Sequence, residues 1–196
     1  MVIAFLLVLM PSLAWAQESS GVESHKTSDL RWAVSTNTLT WINVGTINAE
    51  GALGLTDHFS INAGFTANPW KITTPTSVKI MNQQYGGYVG AKYWPWHVFS
   101  EWWIGVKAQY KNFYEEGLLT TGYMKGDALG AGLSAGYSFM IGKNMNLDLG
   151  LGLWGGRLFS YERTSYDTRH GMVVQDSGPR NFVFIDNVMI AFVYLF

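Results

Sequence analysis

Apolar and polar residues alternate with a period of two along most of the chain after Leu30. Between residues 59 and 68, one face would carry Phe, Ile, Ala, Phe and Ala, and the other Ser, Asn, Gly, Thr and Asn. Leucine occupies every second position from 147 to 153, whereas one stripe on a helix needs spacings of three and four. The pattern therefore predicts β-strands and an all-β domain.

Eight such segments predict an eight-stranded antiparallel up-and-down β-barrel. The predicted strands are residues 30–43, 45–55, 59–70, 83–94, 99–113, 127–141, 145–162 and 180–196. Tight turns alternate with long polar connections at 71–82, 114–126 and 163–179, and only the connection near Val44 breaks this rule by being short. Short periplasmic turns, longer extracellular loops and an even strand count are typical of transmembrane outer-membrane barrels. A soluble lipocalin-like or streptavidin-like barrel is the alternative, and it would place its apolar face inside.

The two faces of these strands predict which side is the lumen. Eight strands leave an interior just wide enough for side chains, so the faces rich in Gly, Ser and Asn fit inside and the apolar faces fit lipid. The inward positions also carry charge, and we interpret them as an ionic network that fills the lumen rather than an ion path. Its predicted members are Glu50, Lys92, Glu101, Lys107 and Asp148. Lys92 and Glu101 would pair across their turn, whereas Arg157 and Asp186 would point outward near the long-loop rim unless a bulge reorients them.

Aromatic residues cluster near the predicted strand ends, where membrane interfaces favour rings with polar tips. The predicted interface aromatics are Trp41, Trp70, Trp94, Trp96, Trp102 and Tyr194. The chain also ends with Phe192, Tyr194 and Phe196 at alternate positions. We interpret these three residues as the signal for insertion of the last strand into an outer membrane.

The N-terminal residues 1–16 have the layout of a secretory signal peptide. About nine apolar residues precede a small-x-small site, and cleavage after Ala16 is the simplest interpretation. No Lys or Arg precedes the apolar segment, which leaves open a start further upstream, and an N-terminal anchoring helix is the alternative. Residues 17–29 would form a flexible periplasmic arm, and residues 30–196 the barrel domain.

Composition restricts the function classes. The 196 residues fit one domain, and a net charge of -1 provides no field for nucleic acid. The absence of cysteine excludes both a disulfide framework and a lipid-modified cysteine. No run of about 18 apolar residues follows the signal, so the mature chain could cross a bilayer only as a closed barrel.

Candidate chemistry is sparse and lies in the last predicted loop. Ser165, Asp167 and His170 are weak candidates for a catalytic group of a lipid A hydrolase or acyltransferase at the outer rim. No metal-type His pair or phosphate loop occurs, so we predict neither a cofactor nor a metal. The arginines of the same loop could bind lipopolysaccharide phosphates or a partner protein; they are Arg163, Arg169 and Arg180.

Several segments resemble one known family. They are residues 37–39 and 48–55, Asn-Pro-Trp at 68–70, Gly-Ala-Lys-Tyr-Trp at 90–94, and the glycine-rich 130–137. Over residues 33 to 196 the chain resembles a Bacteroidetes family of small outer-membrane β-barrels of unassigned function, whose members are often encoded near fimbrial genes. The resemblance implies the fold and the location and brings no catalytic residues.

These observations favour a non-enzymatic, monomeric barrel of the bacterial outer membrane. We expect a role in envelope structure or in binding a surface partner, such as a fimbrial component or lipopolysaccharide, and contact with the barrel-assembly machinery during insertion. The lipid-modifying enzyme is the alternative. A small solute pore is a third possibility, which a filled lumen would disfavour.

Overall fold

The computed structural model describes residues 32–42, 45–73, 79–116, 122–167 and 169–196. The predicted signal peptide and arm lie outside the described residues. Within these ranges the elements are β1 (Trp32–Asn37), α1 (Thr38–Ile42), β2 (Ile47–Gly54), β3 (Phe59–Asn68), β4 (Lys71–Thr73), β5 (Lys79–Tyr93), β6 (Glu101–Glu116), β7 (Tyr123–Met140), β8 (Met145–Asp167), β9 (Gly171–Ser177) and β10 (Arg180–Leu195). No helix in this part of the chain is long and apolar enough to cross a bilayer.

The strands form one closed antiparallel sheet. Its order is β10-β1-β2-β3-β5-β6-β7-β8, and β8 pairs with β10 to close the ring. Strand β4 continues β3 along β5, and β9 precedes β10 along β8, so the wall has eight strands. The prediction of an eight-stranded antiparallel barrel is therefore confirmed.

The alternation of the two faces also agrees with the sequence. In β7, Gly132, Gly136 and Ser138 are buried inside, whereas Leu133 is exposed outside. A Cβ at Gly136 would lie 2.5 Å from the ring of Trp103 and 2.3 Å from a backbone oxygen of β8. Glycine at this position thus allows a tryptophan from β6 to occupy the lumen.

The strands extend further than predicted at one end of the barrel. The predicted loop 163–179 is mostly a hairpin, because β8 continues to Asp167 and β9 pairs Met172 with Tyr166 and Val173 with Ser165. Likewise β6 reaches Glu116 and β7 begins at Tyr123. The side chains of β9 are exposed on both faces, so no period of two indicates this strand in the sequence. We call this the hairpin end, and the opposite end, with residues 55–58, 94–100 and 141–144, the turn end.

Strand β1 is shorter than the predicted 30–43, because it ends at Asn37 and is followed by α1. The side chain of Asn37 accepts a hydrogen bond from Leu39 N at 3.2 Å, and Thr40 Oγ1 donates to Asn37 O at 2.8 Å. Asn48 completes the turn, since its Nδ2 donates to Asn37 O at 2.9 Å and its Oδ1 accepts from Asn37 N at 2.7 Å. These side chains replace strand pairing and end β1 early.

Candidate functional site

A layer of charged side chains fills the middle of the lumen. Lys92 Nζ lies 2.8 Å from Glu50 Oε1, and both side chains are almost fully buried. Glu50 Oε2 also accepts hydrogen bonds from Asn62 Nδ2 at 2.9 Å and from Tyr88 OH. Asp148 is buried nearby and attracts Lys92 electrostatically. The pair of Glu50 and Lys92 and the side chains around it thus come from four strands.

A second ion pair lies nearer the hairpin end. Lys107 of β6 pairs across the lumen with Asp186 of β10, and Gln109 Nε2 donates to Asp186 Oδ1 at 3.2 Å. The ammonium group of Lys107 lies 5.0 Å above the ring of Tyr88, whose hydroxyl contacts Glu50. Tyr88 therefore links the two pairs into one network.

Two charged residues differ in position from the prediction. Asp186 points inward rather than outward, because the register shift between Ile185 and Asn187 is a bulge of the kind left open as the alternative for this residue. Glu101 is exposed rather than in the lumen, because a left-handed backbone (φ 59°) interrupts the alternation at the start of β6. Lys92 lies opposite Gly105 and cannot form the predicted pair with Glu101.

The turn end is closed by the connection between β5 and β6. Residues 94–100 fold into the barrel, where Trp94, Val98 and Phe99 are buried. Trp94 Nε1 donates to Ser60 Oγ at 3.0 Å, and Asn146 Nδ2 donates to Phe99 O. We call residues 94–100 the plug. Trp94 is 1% exposed and therefore is not an interface aromatic as predicted; it shares the inward parity of Lys92.

An apolar cluster occupies the lumen towards the hairpin end. It is centred on Trp154 and Phe182, whose rings pack edge to face with centroids 4.6 Å apart. The other buried members are Ala128, Leu158 and Tyr161. The charged layer thus lies between this cluster and the plug.

The cavities described in the lumen are small. One of about 30 Å³ lies among Glu50, Asn62, Tyr88, Lys92 and Lys107, and one of about 10 Å³ lies beside Trp94 and Asp148. A single water needs roughly 10–15 Å³. These two volumes fit isolated water molecules.

The outer face carries a continuous apolar belt. It covers residues 102 to 110 on β6 and 85 to 93 on β5, nine residues on each strand, which matches the length of a membrane-spanning strand. The belt ends at a polar row towards the hairpin end, where Asp127 accepts hydrogen bonds from Asn112 and Tyr110. The exposed aromatics at its borders include the predicted Trp41, Trp70, Trp96, Trp102 and Tyr194. Phe192 and Phe196 also face outward.

The candidate catalytic residues lie on the β8–β9 hairpin. Ser165 is half-buried within β8, and His170 is exposed in the turn. The Asp167 side chain lies outside the described part of the chain. In the described residues, no group of three His, Cys, Asp or Glu side chains is placed to hold a metal ion.

The arginines of the predicted loop lie at the rim of the hairpin end. Arg180 is stacked 3.7 Å from the ring of Tyr161 and pairs with Asp176 at 2.5 Å. Arg163 and Arg169 are exposed. Nearby, Glu162 accepts a hydrogen bond from the Tyr123 hydroxyl and pairs with Lys125 at 3.2 Å. The hydrogen bond from Tyr123 and then the contact with Lys125 lower the pKa of Glu162.

Sequence reasoning missed some residues of the charged layer. Asn62 was assigned to an inward face but not to the network, and Tyr88 was not assigned. A signal for Tyr88 was available, because it lies four residues before Lys92 on the same strand face. Asp186 could not have been found this way, since nothing in the local alternation announces the bulge.

Fold and lumen together define a closed, eight-stranded β-barrel with a filled interior and an apolar outer face. The chain belongs to the family described as Protein of unknown function (DUF3575), whose sequence profile matches residues 2–196. No curated protein matches the chain. The expected membership of a family without assigned function is therefore confirmed, and the family itself supplies no activity.

Proposed function

We propose that this chain is an integral protein of a bacterial outer membrane that acts without catalysis, as an envelope component presenting a binding surface. The apolar belt carries this proposal. A soluble barrel would leave Leu133, Val106 and Ile104 in water over a continuous surface, whereas lipid would cover them. The filled lumen argues against a pore role, and we expect little or no conductance in planar bilayers.

The hairpin end is the surface proposed to meet a partner. Tyr166, Met172 and Val174 are exposed there on a hairpin that projects beyond the belt. Exposed aromatic and methionine side chains are enriched at protein interfaces. A cell-surface protein, such as a fimbrial component, is the partner we propose, and Phe196 with its alternating neighbours would contact the barrel-assembly machinery during insertion.

Membrane insertion can be tested on the expressed protein. We expect the mature chain, cleaved after Ala16, in the outer-membrane fraction, with a gel mobility that changes when the sample is boiled. A folded barrel resists detergent until heated, so recovery in the soluble fraction without such a shift would contradict the proposal.

The orientation can be tested by cysteine labelling, since the chain has no native cysteine. With Met172→Cys, a membrane-impermeant maleimide should label intact cells. The matched variant Lys143→Cys, in a turn at the opposite end, should be labelled only after permeabilisation. The reverse labelling pattern would mean that the turn end faces the outside of the cell, and it would contradict the proposed orientation.

The non-catalytic part of the proposal has its own test. Deletion of the gene should leave the mass spectrum of lipid A unchanged. A changed spectrum that is restored by the wild-type chain but not by His170→Ala would instead support the lipid-modifying enzyme.

A further inference from the structure

One part of the barrel wall has an incomplete set of strand partners. Strand β10 pairs with β1 only from Ala191 onward, although it pairs with β8 from Arg180. Asn37 Nδ2 donates to Val188 O, Thr38 Oγ1 donates to Ile190 O, and Ile190 N donates to Asn37 Oδ1. From Arg180 to Asn187, β10 therefore pairs with β8 alone among the described residues. We call this stretch the free edge.

Apolar side chains beside the free edge are unusually uncovered. Val183 and Ile185 on the edge are 75% and 72% exposed, and Ile42 of the adjacent α1 is 80% exposed. Leu133 and Leu151, elsewhere on the outer face, reach 65% and 64%. Three of the most exposed apolar side chains of the described residues are thus on the two elements that border the incomplete part of the wall.

An unpaired cation lies next to the same surface. Arg157 of β8 is exposed and lies opposite Asn181 of the free edge on one side and Leu129 of β7 on the other. It has no ion pair or hydrogen bond among the described residues. Four residues closer to the turn end, Leu153 lies opposite Ile185. A guanidinium group therefore borders an apolar strip.

We propose that the free edge and Arg157 bind one phosphorylated glycolipid of the outer leaflet. This inference rests on the proposed function, because it needs the belt to lie in a membrane. Acyl chains would cover Val183, Ile185 and Ile42, and Arg157 would bind a phosphate through two parallel hydrogen bonds. Hydroxyl groups of the sugar would reach the backbone groups of the edge that have no strand partner among the described residues, which lipid tails cannot satisfy.

The unpaired arginine favours this ligand over an added protein strand. A strand would satisfy the backbone of the free edge but gives no reason for a cation beside it. A second copy of the chain fits poorly, because two barrels in one membrane are related by an axis along its normal. Strands tilted about 35–45° would then cross rather than pair.

Native mass spectrometry of the purified barrel can test the site with lipid A as the probe. Wild type should retain one lipid A, and Arg157→Gln should bind it about tenfold more weakly, as expected for loss of a charge-assisted hydrogen bond. Arg157→Lys, which keeps the charge but loses the two-point geometry, should be intermediate. Lys143→Gln, an exposed lysine at the turn end, is the matched control and should bind like wild type.

Removing the phosphates provides the second arm. Dephosphorylated lipid A should bind wild type and Arg157→Gln equally weakly. Equal loss in Arg157→Gln and Lys143→Gln, or no preference for phosphorylated lipid A, would overturn the site. A heat-dependent gel shift in every variant separates this failure from failure of the barrel to insert.

Discussion

The two ends of the barrel are closed in different ways. At the turn end, β1 and β10 pair fully and the plug places Trp94 and Phe99 inside the lumen. At the hairpin end, β5 to β9 project beyond the belt while β1 stops at Asn37 and leaves the free edge. The turn end is therefore sealed by packing, whereas at the hairpin end part of β10 has a strand partner on one side only among the described residues, and many side chains are exposed.

This difference separates stability from recognition. Buried apolar contacts and the charged layer hold the wall together from the plug to the middle of the lumen. Exposed groups that could bind a ligand, such as Arg157 and Tyr166, lie at the other end. Substitutions of buried side chains in the plug and the lumen should thus alter unfolding, and substitutions of the exposed side chains at the hairpin end should alter binding.

The largest expected effect is in the plug. Trp94→Ala would remove a fully buried ring that contacts Phe99 and Trp103, and such truncations cost about 3–5 kcal/mol. Urea unfolding of the refolded barrel in detergent should show this loss. Trp96→Ala is the matched control, because that ring lies in the same connection but is 65% exposed.

Trp96→Ala should change the free energy of unfolding by less than about 1 kcal/mol. Equal losses for the two variants would mean that the plug does not seal the turn end.

The charged layer should give the next effect. Lys92→Met leaves the buried carboxylate of Glu50 without its cation, and breaking a buried pair in this way costs about 3 kcal/mol or more. The double variant Lys92→Met with Glu50→Gln removes both charges and should recover much of that loss. The recovery is measured by the same urea unfolding. If the double variant loses as much free energy of unfolding as the two single variants together, Lys92 and Glu50 do not pair directly.

The wall of the barrel could be predicted from sequence because each strand obeys one local rule. Inward and outward positions follow a period of two, and segments such as 59–68 and 147–153 display it without interruption. The same rule places Glu50, Lys92, Lys107 and Asp148 on the inward face.

Predictions failed where a single residue changes the backbone path. The bulge before Asn187 turns the Asp186 side chain inward. The left-handed backbone at Glu101 places the Glu101 side chain outside the lumen. The sequence predicts only a tight turn where the plug lies, because the inward fold of the plug depends on long-range contacts, such as the hydrogen bond from Trp94 Nε1 to Ser60. The end of β1 likewise depends on Asn48, eleven residues after Asn37.

A smaller effect is expected where β1 ends. Asn37→Ala would remove the side-chain hydrogen bonds of Asn37 with Val188, Leu39 and Ile190, and we expect a loss of about 1–2 kcal/mol. Hydrogen exchange should become faster for the amides of β1 and of β10 near Ile190, but not for those of the plug. Gln175→Ala on the exposed β9 is the control, and faster exchange throughout the barrel would show that the end of β1 is not a local feature.

The smallest effect should be confined to the hairpin end, beyond the belt. Tyr123→Phe removes the hydrogen bond that holds the pKa of Glu162 below its ordinary value, so that pKa should rise, as followed by carbon-13 NMR of the carboxyl group. Because the folded-state pKa is depressed, any stabilisation from this contact exists above the unfolded pKa and disappears as pH falls through the folded one. Tyr166→Phe on the same hairpin should leave the titration unchanged. An equal shift in both variants would mean that the overall electrostatic field of the hairpin, rather than the Tyr123 hydroxyl, sets the pKa of Glu162. An altered urea midpoint at neutral pH would link the hairpin to the stability of the turn end.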